Sequence, residues 1–242
     1  MTVTPSVRRW RSAAFVLAAS LALAGCATGP NAHPQDPLEP FNRGVYRFND
    51  ALDKAVLKPV ATAYRDTLPS PVRTGVGNFF GNLRDVWSAV NAALQARPRE
   101  AVDNLMRFGV NTFFGVGGLI DFASDLGIER TSLDFGQTLA RWGVPTGPYL
   151  VLPLRGPSSV RDAAATVVDI GADPVRHAVE DQATRTTLMV VRTVDDRAKL
   201  LGAGAVLDSA ALDPYSFLRD AYLQRRQNPV EEPVQEERYD LE

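Results

Sequence analysis

The sequence predicts an all-α protein, a single domain of amphipathic helices with Pro/Gly-rich loops. Three observations predict it. Apolar residues recur at spacings of three and four through much of the chain, the period of one helix face. Strict apolar–polar alternation, the mark of a half-buried strand, is almost absent. Prolines and glycines punctuate the periodic stretches, where they end or bend helices.

The N-terminus sets the compartment. Arg8, Arg9 and Arg11 form a basic start, Ala13 to Ala24 is apolar except for Ser20, and Gly25-Cys26 follows. A basic region, a short apolar region and a small-residue cleavage site make a secretory signal over residues 1–25. Leu23-Ala24-Gly25-Cys26 resembles the bacterial lipobox, whose cysteine is acylated and becomes the new N-terminus. Cys26 is the only cysteine of the chain, so no internal disulfide competes for it. In lipoproteins of this kind Asp after the cysteine tends to retain the protein at the inner membrane. Ala27 stands here, which favours the outer one.

Residues 26–38 read as a lipidated tether, polar and rich in Pro and Gly. A helical domain is expected over 39–226. The polar, acidic stretch 227–242 is expected to be disordered. The formal charge is −2, and the three arginines lost with the signal leave the mature chain at −5. That balance argues against nucleic acid and against polybasic attachment to a membrane.

The first helix is written by Phe41, Val45, Phe48, Leu52 and Val56, and Pro59, then Pro69 and Pro71, punctuate it. A second runs through Val72, Val76, Phe79 or Phe80, Leu83, Val90 and Leu94. A third starts near Arg99 and merges into Phe108–Ile120 (FGVNTFFGVGGLI), a segment with no charge, flanked by Arg107 and Asp121. As a helix this segment would be about 20 Å long, too short for a hydrocarbon core of about 30 Å. Two readings follow, a buried core helix or a segment that enters a membrane from one side and returns. Gly115, Gly117 and Gly118 should interrupt or bend it, since each costs about 1 kcal/mol against alanine in a helix.

Further on, a short helix is expected around Phe135–Trp142, and Pro148 to Leu154 looks extended and apolar. Ser158 or Ser159 would cap a helix from Val160, with Asp162 in its first turn. Leu188, Val191, Val194, Ala198 and Leu201 mark another helix, and Asp213-Pro214-Tyr215 starts the last.

Catalytic chemistry finds no support. His33 and His177 are the only histidines, so a Cys/His zinc site fails on ligand count. There is no G-x-S-x-G, and Gly115-Val116-Gly117-Gly118 lacks the Lys-Ser/Thr of a phosphate-binding loop. No cofactor and no metal are expected.

Several segments in order resemble one family. DPLEPFNR (36–43) and Phe48-Asn49, GVGGLID (115–121), FGQTLARWGVPTGPYLVLP (135–153), GPSSVRD (156–162) and DPYSFLRDAYLQRR (213–226) together look like the MlaA/VacJ outer-membrane lipoproteins. The resemblance covers residues 36 to 226. It implies a ring-like, membrane-embedded assembly of helices around an amphipathic channel. The expected location is the periplasmic face of the outer membrane of a Gram-negative bacterium, held by an N-terminal acyl anchor and embedded helices. The implied partners are phospholipids, a trimeric outer-membrane porin and a soluble periplasmic lipid carrier. The implied work is removal of mislocalised phospholipids from the outer leaflet, with no hydrolysis.

On that reading Phe48, Asn49, Phe79, Phe80, Phe113, Phe114, Leu119 and Ile120 are candidates for the lipid path. Gly115, Gly117, Gly118, Gly143 and Gly147 are candidate bends or hinges. Asn42, Asn49, Asn78, Asn82, Asn91 and Asn111 are either polar groups of the path or caps and turns. With the anchor and the motifs around it, Phe108–Ile120 is favoured as a shallow embedded element. The alternative is a structural lipoprotein that tethers periplasmic partners at the outer membrane.

Overall fold

The computed structural model of the protein describes residues 33–227. The signal, Cys26 and nearly all of the expected acidic tail lie outside them.

Helix α1, Glu39–Leu52, opens with Glu39 and Pro40 in its first turn, where a carboxylate suits the helix dipole and a missing N–H costs nothing. The helix does not stop at Pro59. It widens into a single π-turn, Asp53–Leu57, and continues as α2, Lys58–Thr67. Pro59 cannot donate to the Ala55 carbonyl, and the wider turn ahead of it absorbs the mismatch. Of the punctuating prolines, Pro59 makes a bulge, and the helix ends just before Pro69.

Helices α3, Ser70–Leu94, and α4, Pro98–Phe113, are joined by three residues and pack against each other along their length. So short a link makes neighbours antiparallel. The chain then forms α5, Phe122–Asp125, and α6, Phe135–Arg141, the latter capped by Asp134 accepting from the Gln137 N–H. Strands β1, Tyr149–Leu152, and β2, Gly156–Ser159, pair antiparallel, with Tyr149 opposite Ser159 and Leu152 opposite Gly156. The extended reading of Pro148–Leu154 is met by β1, and its hairpin partner is the one addition to a helical fold. Helix α7, Val160–Gly171, starts where expected, with the Ser159 side chain accepting from the Asp162 N–H. Helices α8, Pro174–Ala178, α9, Gln182–Lys199, α10, Leu201–Ala210, and α11, Pro214–Gln227, complete the described chain.

Neighbour contacts close a ring. Helix α1 packs on β1, the hairpin on α7, α7 on α6, α6 on α3, α3 on α9 and α9 on α2, which returns through the π-turn to α1. The ring-like arrangement of helices implied by the sequence resemblance is therefore present as a closed circuit of packed elements.

One cluster of buried apolar residues positions the hairpin. It comprises Tyr149, Val151, Tyr215, Tyr222 and Leu223, joined by Val45 and Tyr46, at the junction of α1, the hairpin and α11. Its rings meet edge to face, with centroids 5.8 Å apart for Tyr149–Tyr222 and 6.2 Å for Tyr149–Tyr215. The N-terminal strand of chain docks here too. Gln35 accepts from the Tyr149 N–H at 2.7 Å, and buried Asp36 accepts from the Tyr215 hydroxyl and from Asn42 at 2.8 Å. Residues 33–38, expected in the tether, thus lie against the folded domain.

Elsewhere the usual distribution is turned over. Asn42, Asn82, Asn91, Asn104, Asn111 and Arg107 are buried, while Phe41, Phe48, Leu105, Met106, Phe113 and Phe114 are exposed. Exposed scattered apolar residues are ordinary, but many large ones beside a buried polar interior fit a surface whose solvent is lipid. No helix among the described residues is long and apolar enough to cross a membrane.

Candidate lipid-handling surface

The uncharged stretch splits into two parts. Its first half is the end of α4, through Phe113, and its second half is a tight reversal. Val116, Gly117 and Gly118 are left-handed in succession, with φ of 53°, 69° and 93°. Glycine takes that conformation without the steric cost an L side chain meets. The Gly117 N–H donates to the Thr112 carbonyl at 3.1 Å, Gly118 to Asn111 at 2.8 Å and Ile120 to Gly115 at 2.9 Å. Three N–H groups of the turn are therefore met by its own carbonyls, which favours a position away from water. Gly115 is needed for space, since a Cβ there would lie 2.1 Å from the Ile120 carbonyl oxygen.

The outside of this turn is apolar. Phe113 is 84% exposed and Phe114 72%, with Val116, Leu119 and Ile120 also exposed. Its underside is ionic. Buried Arg107 donates to both Asp121 oxygens at 2.7 Å and to the Ile128 carbonyl. Asp121 also accepts from Asn111 at 2.9 Å and from the Ser124 hydroxyl at 2.8 Å. Burial opposes the charge of Asp121, but Ser124, Asn111 and Arg107 outweigh it and hold its carboxyl down at about 2. Buried Asp85 receives Arg130 at 2.8 and 3.0 Å and lies 3.6 Å from Arg107. Burial nonetheless pushes the Asp85 carboxyl up. The two charges that flank the uncharged segment in sequence, Arg107 and Asp121, are thus the pair that closes its loop. The flanking positions were visible in the sequence, but the pairing was not, nor was the part played by Asp85 and Arg130.

The other candidates separate. Phe48 is exposed on α1. Its neighbour Asn49 donates to the Leu152 carbonyl at 2.9 Å and accepts from the Leu154 N–H at 2.8 Å. Two turns earlier, Asn42 donates to the Tyr149 carbonyl at 3.1 Å and accepts from the Val151 N–H at 2.9 Å. Each amide presents β1 with one donor and one acceptor, as a neighbouring strand would, and α1 thereby covers the free edge of the hairpin.

The remaining asparagines are also clamps. Asn78 donates to the Leu119 carbonyl, Asn82 to the Thr112 hydroxyl and Asn91 to the Trp87 carbonyl. These asparagines are neither helix caps nor turn residues; their amides tie elements together. Phe80 is corrected as well. It is only 2% exposed and packs edge-on against Phe79, 5.3 Å between centroids, so it is core and not a path surface, whereas Phe79 is half-buried. Adjacent positions on a helix point about 100° apart, and the sequence alone did not choose between them. Leu119 and Ile120 stand on the exposed side of the turn. Gly143 ends α6, donating to the Ala140 carbonyl while Val144 donates to Leu139, the double closure of a helix C-terminus. Gly147 leads into the hairpin. Neither Gly143 nor Gly147 lies in the 113–120 turn. No group of His, Cys, Asp and Glu among the described residues is arranged to hold a metal.

The model of the MlaA lipoprotein family matches residues 34–229 of the chain. The intermembrane phospholipid transport system lipoprotein MlaA of Escherichia coli (strain K12) is 35% identical over 250 residues, covering 96% of this chain and 98% of that one. The protein of the same name from Haemophilus influenzae is 34% identical over 222 residues, covering 88% of each. A solved structure reported as "Structural basis for maintenance of bacterial outer membrane lipid asymmetry" superposes with a TM-score of 0.69 at 37% identity, covering 79% of this chain and 96% of that one.

Proposed function

Because the chain belongs to the MlaA lipoprotein family, we propose that it is an outer-membrane lipoprotein of intermembrane phospholipid transport, which removes mislocalised phospholipid from the outer leaflet and so maintains lipid asymmetry. The observation that carries this reading is the match to transport lipoproteins over nearly the whole chain, on a closed ring with an apolar outside. A phospholipid has two apolar tails and a charged head, and dragging the head through hydrocarbon is costly. A ring of helices set in one leaflet gives the head a polar route while the tails follow apolar side chains. No covalent step is needed, and the protein acts as a conduit, not an enzyme.

Cys26 carries the acyl anchor on the periplasmic side, and the turn around Phe113 and Phe114 sits in the lipid. A trimeric porin holds the ring in place from the membrane side, and a soluble periplasmic carrier accepts the lipid. Deleting the gene in its host is expected to raise outer-leaflet phospholipid and sensitivity to detergent with chelator. Unchanged asymmetry in a strain without a second copy would overturn the reading and leave a structural tether. Cysteines introduced at residues 113 and 114 resist a water-soluble maleimide in intact membranes, and free labelling there would remove the turn from the bilayer.

A further inference from the structure

A polar cavity of about 240 Å³ lies between the hairpin, α6, α7 and α11, away from the Phe113–Ile120 turn. Its wall includes Asp134, Asp162, Asp169, Arg155 and Arg226. Three of these charges neutralise one another or their neighbours. Arg226 donates to Asp134 at 2.7 and 3.1 Å and lies 3.2 Å from Asp162, which also receives Arg161 at 2.8 Å and the Tyr222 hydroxyl.

Two charges are left over. Asp169 accepts from the Trp87 indole at 2.8 Å and from the Phe135 N–H at 3.0 Å, both on the same oxygen, and no cation pairs with it among the described residues. Burial pushes its carboxyl up, against the lowering effect of the Trp87 and Phe135 hydrogen bonds and of the Arg226 charge, which forms no ion pair with it. Arg155 stands exposed on the hairpin turn, between Leu154 and Gly156, both left-handed, and pairs with no carboxylate among the described residues. Arg155 and Asp169 thus line the same cavity, and neither forms an ion pair with a described residue.

We propose that this cavity is a headgroup subsite for a zwitterionic phospholipid with a primary amine, Arg155 taking the phosphate and Asp169 the ammonium. Such a headgroup offers a phosphate for the cation and an ammonium for the anion, which a glycerol headgroup cannot answer because it has no cation. A quaternary ammonium has no N–H to give a carboxylate and is held best by aromatic faces. The cavity, at about 240 Å³, has room for a small polar group. That suits a phosphoethanolamine group and is too small for acyl chains, which stay outside. The proposal rests on the transport reading above and adds to it a preference among headgroups.

The test uses the full-length lipoprotein, extracted in detergent from membranes that hold both ethanolamine and glycerol phospholipids. Bound lipid is quantified by mass spectrometry against the composition of the source membrane. The expected result is enrichment of ethanolamine lipid, lowered roughly threefold by Arg155→Gln, as for an exposed charge pair, and lowered likewise by Asp169→Asn, with total bound lipid unchanged. Arg155 is exposed on a turn, so its variant keeps the fold, which an unchanged thermal transition verifies. Bound lipid at the membrane's own ratio, or a ratio indifferent to both variants, overturns the subsite and leaves the transport reading standing. Absence of any bound phospholipid overturns both. In a second arm, O-phosphoethanolamine and inorganic phosphate are titrated into the protein. Tight binding of either soluble compound, without lipid enrichment, assigns the cavity to a small metabolite and overturns the lipid assignment.

Discussion

Asn42 and Asn49 show how much of this fold depends on single polar side chains. Each bonds two backbone groups of the hairpin, and Asn42 does so with no exposed surface. Truncating either leaves a donor and an acceptor unmet, at about 1–3 kcal/mol for each unsatisfied buried group. Asn42→Ala is expected to lower the thermal transition more than Asn49→Ala, because water can reach the partners of the latter. Equal losses would contradict the burial argument. The glycines of the turn also differ from one another. Gly117 and Gly118 are both left-handed, so alanine at either meets about 1–2 kcal/mol of backbone strain. A Cβ at Gly117 meets open space, whereas at Gly118 it would lie 2.6 Å from the Asn82 amide nitrogen, which holds Thr112. Gly118→Ala is therefore expected to cost measurably more than Gly117→Ala in denaturant titration, and parity would show that strain alone matters.

The end of α4 and its turn form an element with two unlike sides. Phe113 and Phe114 make its apolar crown and are not packed by the domain. Burying a phenylalanine contributes about 1.5–3 kcal/mol. Changing both to serine in a Cys26→Ala form is expected to cut vesicle binding at least tenfold while leaving the melting temperature alone. A drop in stability with binding intact would instead make the pair part of the core. The ionic underside gives the element a pH dependence. Asp121 titrates lower in the fold, at about 2, than an ordinary carboxylate at about 4. Its contribution to stability is complete above about 4 and is lost as pH falls through about 2. Amide hydrogen exchange of residues 114–121 is expected to be slow at pH 5 and to gain open states near pH 2 beyond the intrinsic change in rate. Exchange that follows only the intrinsic rate would deny Asp121 this role.

At the scale of the whole molecule, the ring is closed by two seams far apart in sequence. One is the asparagine seam between α1 and the hairpin. The other joins α9 to the π-turn and α2, where Arg197 donates to Asp53 at 2.7 and 2.8 Å and the Tyr64 hydroxyl donates to Asp195 at 3.0 Å. Burial and Asp195 push the Tyr64 hydroxyl up to about 12, so it stays a donor at any physiological pH. Arg197→Met is expected to lower the unfolding temperature by about 2–4 °C, the shift for a loss of about 1 kcal/mol in a chain of this size. Combined with Asn49→Ala, the losses should add, because distant sites without shared partners are independent. Strong non-additivity would mean that the ring opens as one unit from either seam.

The sequence by itself determined the helical class, a serine cap at 158 or 159 for the helix from Val160, and the uncharged segment with its glycines. These are local properties, set by period, propensity and short motifs, and they need no knowledge of what lies opposite. Tertiary structure alone decided which of Phe79 and Phe80 is core, that Pro59 widens a helix instead of ending it, and that the asparagines are clamps. Asn42 and its partner Tyr149 are 107 positions apart, and no spacing rule links them. A buried amide and a channel-lining amide look alike in a sequence, because what separates them is the partner that packing brings within 3 Å. The ring closes for the same reason, since each seam joins surfaces that only the folded chain sets face to face.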